Sequence, residues 1–264
     1  LNNEDSGFDL PLSPQMKAVI QELGFTQLTP IQKQSIPALL QGRDLIGQSK
    51  TGSGKTLAFS IPALERMDLK DKRVQVLVMC PTRELCAQVA REMRRLGRKH
   101  PGLHVLVISG GQPIYPQIRA LEKGVHIVVG TPGRLMDHLR RGSLQLNSVN
   151  YLVLDEADEM LDLGFLPDVE KIFKLTDSRT QTMLFSATMP GDVVTLARRY
   201  LSQPTHIRAD VEDTGAIVTR IKQFVFRAHA LDKPEMLARI LQANGRGPTM
   251  IFCRTKRACQ QISD

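Results

Sequence analysis

Continuous apolar runs constrain this chain more than any other feature. They recur as "DLIGQ" (44–48), "VQVLVMC" (74–80), "LHVLVIS" (103–109), "VHIVVG" (125–130), "VNYLVLD" (149–155) and "QTMLFSA" (181–187). Few of them alternate apolar with polar residues, so both faces of each strand must be covered, as in a parallel sheet. Helical patterns lie between the runs. Over 84–99, Leu85, Val89, Met93 and Leu96 share one helical face, while Arg91, Arg94, Arg95, Arg98 and Lys99 share another. The basic stripe reads as a solvated helix face rather than a binding surface. Strands alternating with helices predict an α/β fold with a mostly parallel sheet flanked by helices. Ligands of such sheets bind beyond the carboxyl ends of the strands.

Two clusters stand at such ends. The run 149–155 leads directly into Asp155, Glu156, Asp158 and Glu159. Carboxylates this close repel one another and are costly to bury unless a cation sits among them. "SKTGSGKT" (49–56) follows the first strand and precedes an apolar helical run. It matches the phosphate-loop pattern at Gly54-Lys55-Thr56, with Ser49 where the pattern has its first glycine. Gly52 and Gly54 let backbone N–H groups turn toward phosphate oxygens, with Lys50, Thr51 and Ser53 between and beside them. Lys55 reaches the outer phosphates and Thr56 offers a hydroxyl to Mg²⁺. A triphosphate with Mg²⁺ needs an acid on a neighbouring strand, and Asp155 is placed for that through metal-bound water. Glu156 is the expected base for the attacking water, and Asp158 anchors a neighbouring loop. Glu159 and Asp162 are assigned to a solvated helix start, where carboxylates suit the dipole.

The 264 residues leave room for one large or two ordinary domains, and 42% hydrophobic with 23% charged residues is globular. No apolar run approaches a membrane span, and no signal peptide is visible. The chain opens on Leu1 rather than Met, as a cut or incomplete N-terminus would. Its net charge of +8 is uneven: residues 1–216 hold 26 basic against 24 acidic residues, and 217–264 hold 9 against 3. That excess hints at a polyanionic partner. Cys80, Cys86, Cys253 and Cys259 have C-x5-C spacings that match no zinc or redox motif, so they read as reduced core or near-core thiols of a cytoplasmic protein.

The motifs together resemble the DEAD-box ATP-dependent RNA helicase family: "GFTQLTPIQ" (24–32), "PTREL" (81–85), "TPGR" (131–134), "DEAD" (155–158) and "SAT" (186–188) occur in that family's order. "CPTREL" and "SGGQP" are most similar to bacterial members of the DbpA type. The resemblance implies a RecA-like phosphate-loop domain followed by the start of a second one, with ATP and Mg²⁺ as cofactors and RNA as partner. It implies that Gln32 reads the adenine edge and that Phe8 stacks on the base, with a core anchor as the alternative for Phe8. Ser186 and Thr188 would link the nucleotide and RNA sites through Asp155 or Asp158. Pro81, Thr82, Arg83, Gly110, Gly111, Thr131, Pro132, Gly133 and Arg134 would line an RNA track that contacts backbone without reading bases. "ISGGQ" (108–112) also resembles the signature of transporter-type ATPases, but Pro113 would disturb the helix that signature opens.

The expected organisation is an N-terminal region over 1–36, the first RecA-like domain over 37–208, a linker over 209–220 and a truncated second domain over 221–264. In that last part a strand ("IKQFVFRA"), a helix ("KPEMLARILQAN"), a strand ("PTMIFCR") and a helix start are predicted. The family's arginine-bearing motifs of the second domain do not occur in the sequence. A nucleotide- and RNA-binding module without turnover is therefore the alternative for this chain alone. Oligomeric state and the physiological RNA are not encoded in any pattern found.

Overall fold

The structure is a computed structural model that describes residues 10–176, 179–209, 224–229, 232–243 and 247–263. The chain divides into two compact units, Leu1–Glu212 and Asp213–Asp264. Phe8 and most of the expected linker lie outside the described residues.

The first unit is built on seven strands: β1 (Leu45–Gln48), β2 (Val76–Met79), β3 (Val105–Ile108), β4 (Ile127–Gly130), β5 (Tyr151–Leu154), β6 (Gln181–Ser186) and β7 (Thr205–Arg208). They form one sheet in the order β3-β4-β2-β5-β6-β1-β7, and each pairing is parallel. All six apolar runs are therefore strands. Their burial follows their place in the sheet. β2, β4, β5 and β6 are buried at every residue, whereas the edge strands β3 and β7 are only partly covered. β7, "THIR", was not among the expected strands. Its polar residues point outward at an edge, and only Ile207 is buried.

Helices cover both faces. Val76, Val78, Val153 and Phe185 pack toward α1 (Pro14–Glu22), α2 (Pro30–Leu40), α3 (Lys55–Glu65) and α4 (Arg83–Leu96). Their strand neighbours Leu77, Met79, Leu152 and Leu184 pack on the other face with residues of α6 (Pro132–Arg140), α7 (Ala157–Asp162), α8 (Leu166–Leu175) and α9 (Gly191–Tyr200). α5 (Ile114–Glu122) lies beside β3. Burying one large aliphatic side chain contributes roughly 1.5–3 kcal/mol, so the alternation along each strand fixes its register firmly.

Local chemistry sets the helix ends. Ser13 caps α1 by accepting from Met16 N at 3.2 Å, and its own N–H and hydroxyl both donate to Glu65 at 2.7 Å. The basic stripe of α4 and the turn after it is exposed along its length, as a solvated face requires. Within it Arg98 pairs with Glu22 at 2.5 Å, Lys99 pairs with the same carboxylate, and Arg95 lies 5.7 Å over the Phe25 ring, so the end of α1 is tied to the end of α4 and the turn that follows it. Asp162 ends α7 rather than starting it, so the dipole argument fits Asp158 and Glu159 and fails for Asp162.

In the second unit α10 (Lys233–Ala243) and α11 (Lys256–Ser263) form where helices were expected. The two expected strands do not form among the described residues, 224–229 and 247–253. Phe224, Val225, Phe226, Met250 and Phe252 are exposed there. A strand needs a hydrogen-bonded neighbour and a covered face, and the described residues of these runs have neither. Cys80 and Cys86 are buried as expected, but Cys259 is exposed and Cys253 only half-buried. No described helix is long and apolar enough to cross a membrane.

Candidate nucleotide and RNA site

Because every strand runs the same way, all the loops at strand carboxyl ends share one edge of the sheet. Strand order then sorts the motifs. β1, β6 and β5 lead into Ser49–Gly54, Ala187–Thr188 and Asp155–Glu156. β2, β4 and β3 lead into Pro81–Arg83, Thr131–Arg134 and Ser109–Gln112. The expected nucleotide residues occupy one half of the edge and the expected RNA residues the other, with the seam between β5 and β2.

The phosphate loop is held at both ends. Ser49 N donates to Ser186 O at 3.1 Å, and Ser53 Oγ donates to Ser49 Oγ at 2.9 Å. Gly54 precedes α3 at φ 94°, a conformation that favours glycine. A Cβ there would also lie 2.3 Å from Gln32 Nε2. Lys55 is buried and folds back so that Nζ donates to Ser49 O at 3.3 Å. Gln32 is only 5% exposed, and its amide is engaged on both sides. Oε1 accepts from Thr29 N at 3.0 Å, capping α2, and Nε2 donates to Gly54 O at 3.0 Å. The residue expected at the adenine edge thus also fastens α2 to the phosphate loop.

Asp155 is 2% exposed and extends the β5 ladder, its N–H donating to Met79 O at 3.0 Å. Its Oδ1 has no hydrogen-bond partner. The carboxyl is raised to about 6, chiefly by burial; the Lys55 charge and the Glu156 backbone N–H pull it down, and the Glu156 and Asp158 charges push it up. Such a carboxylate suits a bound cation. No group of three ligating side chains exists among the described residues.

Glu156 holds φ 56°, a left-handed conformation costly for a side-chain-bearing residue and typical of functional sites. Its Oε1 accepts from Thr51 Oγ1 at 3.1 Å, joining the acidic turn to the phosphate loop. The hydrogen bond shared with Glu156, and then burial, raise the Glu159 carboxyl.

Of the two links considered for Ser186 and Thr188, the geometry gives Asp158. Thr188 donates to Asp158 Oδ2 from N at 2.8 Å and from Oγ1 at 2.7 Å, while Asp158 N donates to the buried Ser186 Oγ at 3.2 Å. Burial raises the Asp158 carboxyl, but the Thr188 and Ser186 hydroxyls and the backbone N–H groups of Thr188 and Glu159 outweigh it and hold it below its ordinary value.

On the other half, Thr82 caps α4 by accepting from Leu85 N at 3.3 Å, with Arg83 exposed beside Glu84. Thr131 N donates to Ile108 O at 3.1 Å, and Pro132 occupies the first turn of α6. Pro81 and Pro132 are buried, so they shape the helix starts and offer no surface. Gly111 has φ 76°, and a Cβ there would lie 2.3 Å from Arg83 NH1. Arg134 is not free in the track. Its NH2 donates to Gln112 O at 2.6 Å and its Nε to Gln117 Oε1 at 3.1 Å. Gln117, buried, also takes His138 Nε2 at 2.9 Å and donates to Ser109 O at 3.3 Å. With Gln117 Oε1 accepting, His138 carries its proton on Nε2, and Ser143 Oγ meets Nδ1 at 2.9 Å. Burial first, then the Arg134 charge, lowers the His138 pKa. Sequence reasoning did not single out Gln117 or His138; a glutamine inside an amphipathic helix gives no motif. Pro113 immediately precedes α5, so the helix opens after the "SGGQ" turn, contrary to the transporter signature.

Residues 29–196 match the family described as DEAD/DEAH box helicase. The chain belongs to that family. It is 43% identical over 256 residues to a DEAD-box ATP-dependent RNA helicase CshA of Bacillus cereus, covering 97% of this chain and 48% of that protein. To the protein of the same name in Bacillus subtilis it is 42% identical, over 97% of this chain and 51% of the relative. The chain therefore spans about half the length of these relatives. The crystal structure of a DEAD box protein from Methanococcus jannaschii superposes with a TM-score of 0.74 at 39% identity, covering 97% of this chain and 68% of that one. A hypothetical ATP-dependent RNA helicase from Sulfolobus tokodaii gives 0.69 at 37% identity, covering 75% and 57%.

Proposed function

We propose that this DEAD-box chain binds ATP with Mg²⁺ on the β1/β5/β6 half of the sheet edge and RNA backbone on the β2/β3/β4 half. In the whole enzyme, ATP hydrolysis drives local unwinding of RNA duplexes. The observation that carries the reading is the buried Asp155, whose Oδ1 lacks a partner while Lys55 lies close enough to pull on its proton. The proposed organisation is the N-terminal region 1–36, RecA-like domain 1 over 37–208, the linker 209–220 and the start of domain 2 over 221–264.

In this reading the N–H groups of Ser49–Gly54 and the start of α3 hold the phosphates. Lys55 leaves Ser49 O for the outer phosphates. Thr56 and Asp155 would hold Mg²⁺, which when bound supplies charge neutralisation on the phosphoryl oxygens. Glu156 accepts a proton from the attacking water at its carboxylate. Gln32 turns an amide edge to adenine, and Phe8 stacks on the base. Ser186 and Thr188 communicate between the halves through Asp158. Thr82, Arg83, Gly110, Gly111, Thr131 and Gly133 follow the RNA backbone, while Arg134 holds the loop that carries the glycines. A cytoplasmic location is part of the proposal.

Calorimetry on this chain tests it. ATP with Mg²⁺ should bind more tightly than GTP with Mg²⁺, Gln32→Ala should narrow the difference, and Lys55→Ala should weaken both. Equal affinity for the two nucleotides in the parent chain would refute the adenine assignment.

A further inference from the structure

The track residues are glycines, helix starts and a clamped arginine. These meet phosphate and ribose and have no face for a base. One exposed aromatic stands beside them. Tyr115 is 72% exposed, in the first turn of α5, four residues after Gly111. Its surroundings are held rigidly from the opposite side of the helix. Gln117 is buried and donates to Ser109 O, Arg134 grips Gln112 O and Gln117 Oε1, and His138 grips the same Oε1. The turn bearing Tyr115 is thereby fixed to the glycine loop. Arg119 lies one helical turn further on, also exposed on the Tyr115 face, and makes no ion pair among the described residues. A cavity of about 580 Å³ at the amino ends of β2 and β4 also carries Lys72 and Lys123, but Glu122 shares it and no unpaired buried group points into it.

We infer that Tyr115 is a base-stacking platform at the margin of the RNA track, taking one nucleobase of a single strand on its ring while Arg119 meets the neighbouring phosphate. The inference rests on the proposed RNA track. The physical argument has three parts. Single-stranded RNA offers unstacked bases, and an exposed ring beside a backbone track is the kind of surface they stack on. Stacking is indifferent to base identity, so it adds affinity without conflicting with sequence-independent backbone binding. A tyrosine on a pinned helix turn loses little freedom when a base covers it.

The test compares two single-stranded ribo-oligonucleotides of equal length and charge, one base-bearing and one abasic, binding to this chain by fluorescence anisotropy. The parent should prefer the base-bearing strand by about tenfold, in line with one stacked base. Tyr115→Ala should bind both strands at the abasic level, and Tyr115→Phe should keep the preference. The chain contains no tryptophan, so Tyr115→Trp supplies a single reporter whose emission should be quenched by the base-bearing strand and not by the abasic one. A Tyr115→Ala chain that retains the parent's preference overturns the stacking role and leaves the track standing. Equal weakening of both strands means a structural role and overturns it as well. Failure of the parent to bind either strand overturns the track and the platform together.

Discussion

The buried Asp155 carboxylate, with Oδ1 unpartnered, has a thermodynamic consequence that is separable from catalysis. Without nucleotide and metal, the fold must carry this group either protonated or as a buried, incompletely solvated charge. Burial lifts its pKa from 3.8 to about 6. At about 1.4 kcal/mol per tenfold change in protonation, keeping it ionised at neutral pH costs the apo fold about 3 kcal/mol. The sign follows from linkage. Between about pH 4 and 6 the native chain holds a proton that the unfolded chain has released, so stability falls as pH rises through that window and is level above it. Asp158 acts oppositely: its lowered pKa contributes stability above its unfolded value that is lost as pH falls. Asp155→Asn removes the first effect and leaves the second. Urea unfolding of parent and variant in EDTA, without nucleotide, should give nearly equal stability at pH 4. The variant's advantage should grow by about 3 kcal/mol by pH 7, while stabilisation of the variant by ATP with Mg²⁺ should be lost. A difference that stays flat from pH 4 to 7 would refute the claim that this carboxylate is buried with one oxygen unpartnered.

Gln117→Ala should leave the buried His138 Nε2 without its acceptor and take one of two from Arg134, costing about 2–3 kcal/mol in thermal or urea unfolding and weakening RNA binding with ATP affinity unchanged. An equal loss of ATP affinity would contradict its assignment to the RNA half. Glu156→Gln, in protein extended through a complete second RecA-like domain, should bind ATP normally and hydrolyse it at least a hundredfold more slowly, as expected for loss of a general base; retained turnover in a steady-state assay would overturn that role.

What could be read in the sequence was what repeats or conforms to a chemical pattern. Strands buried on both faces leave long apolar runs, and β2, β4, β5 and β6 are of that kind. β7 was missed because an edge strand needs only one buried residue, Ile207. "IKQFVFRA" and "PTMIFCR" have strand composition but no strand neighbour among the described residues, and a ladder depends on its partner rather than on propensity. At the site, the identities of Gln32, Arg134 and Asp158 were legible from motifs, but their bonds were not. The amide of Gln32 serves Thr29 and Gly54, and the guanidinium of Arg134 serves Gln112 and Gln117, through contacts made only after the chain has folded. Gln117 and His138 carry no signature at all, since a buried polar network depends on which helices happen to face each other.

The most direct test of the account is steady-state ATP hydrolysis, with and without single-stranded RNA, by this chain and by a version extended through a full second RecA-like domain. The proposed site on the first domain would bind the nucleotide, but charge developing on the transferred group needs an arginine from outside the phosphate loop, a contribution of roughly 10³–10⁵ in rate. The extended protein should show RNA-stimulated hydrolysis that Glu156→Gln abolishes, and this chain should fall at least a thousandfold below it. Comparable RNA-stimulated rates in both, or no stimulation by RNA in the extended protein, would contradict it.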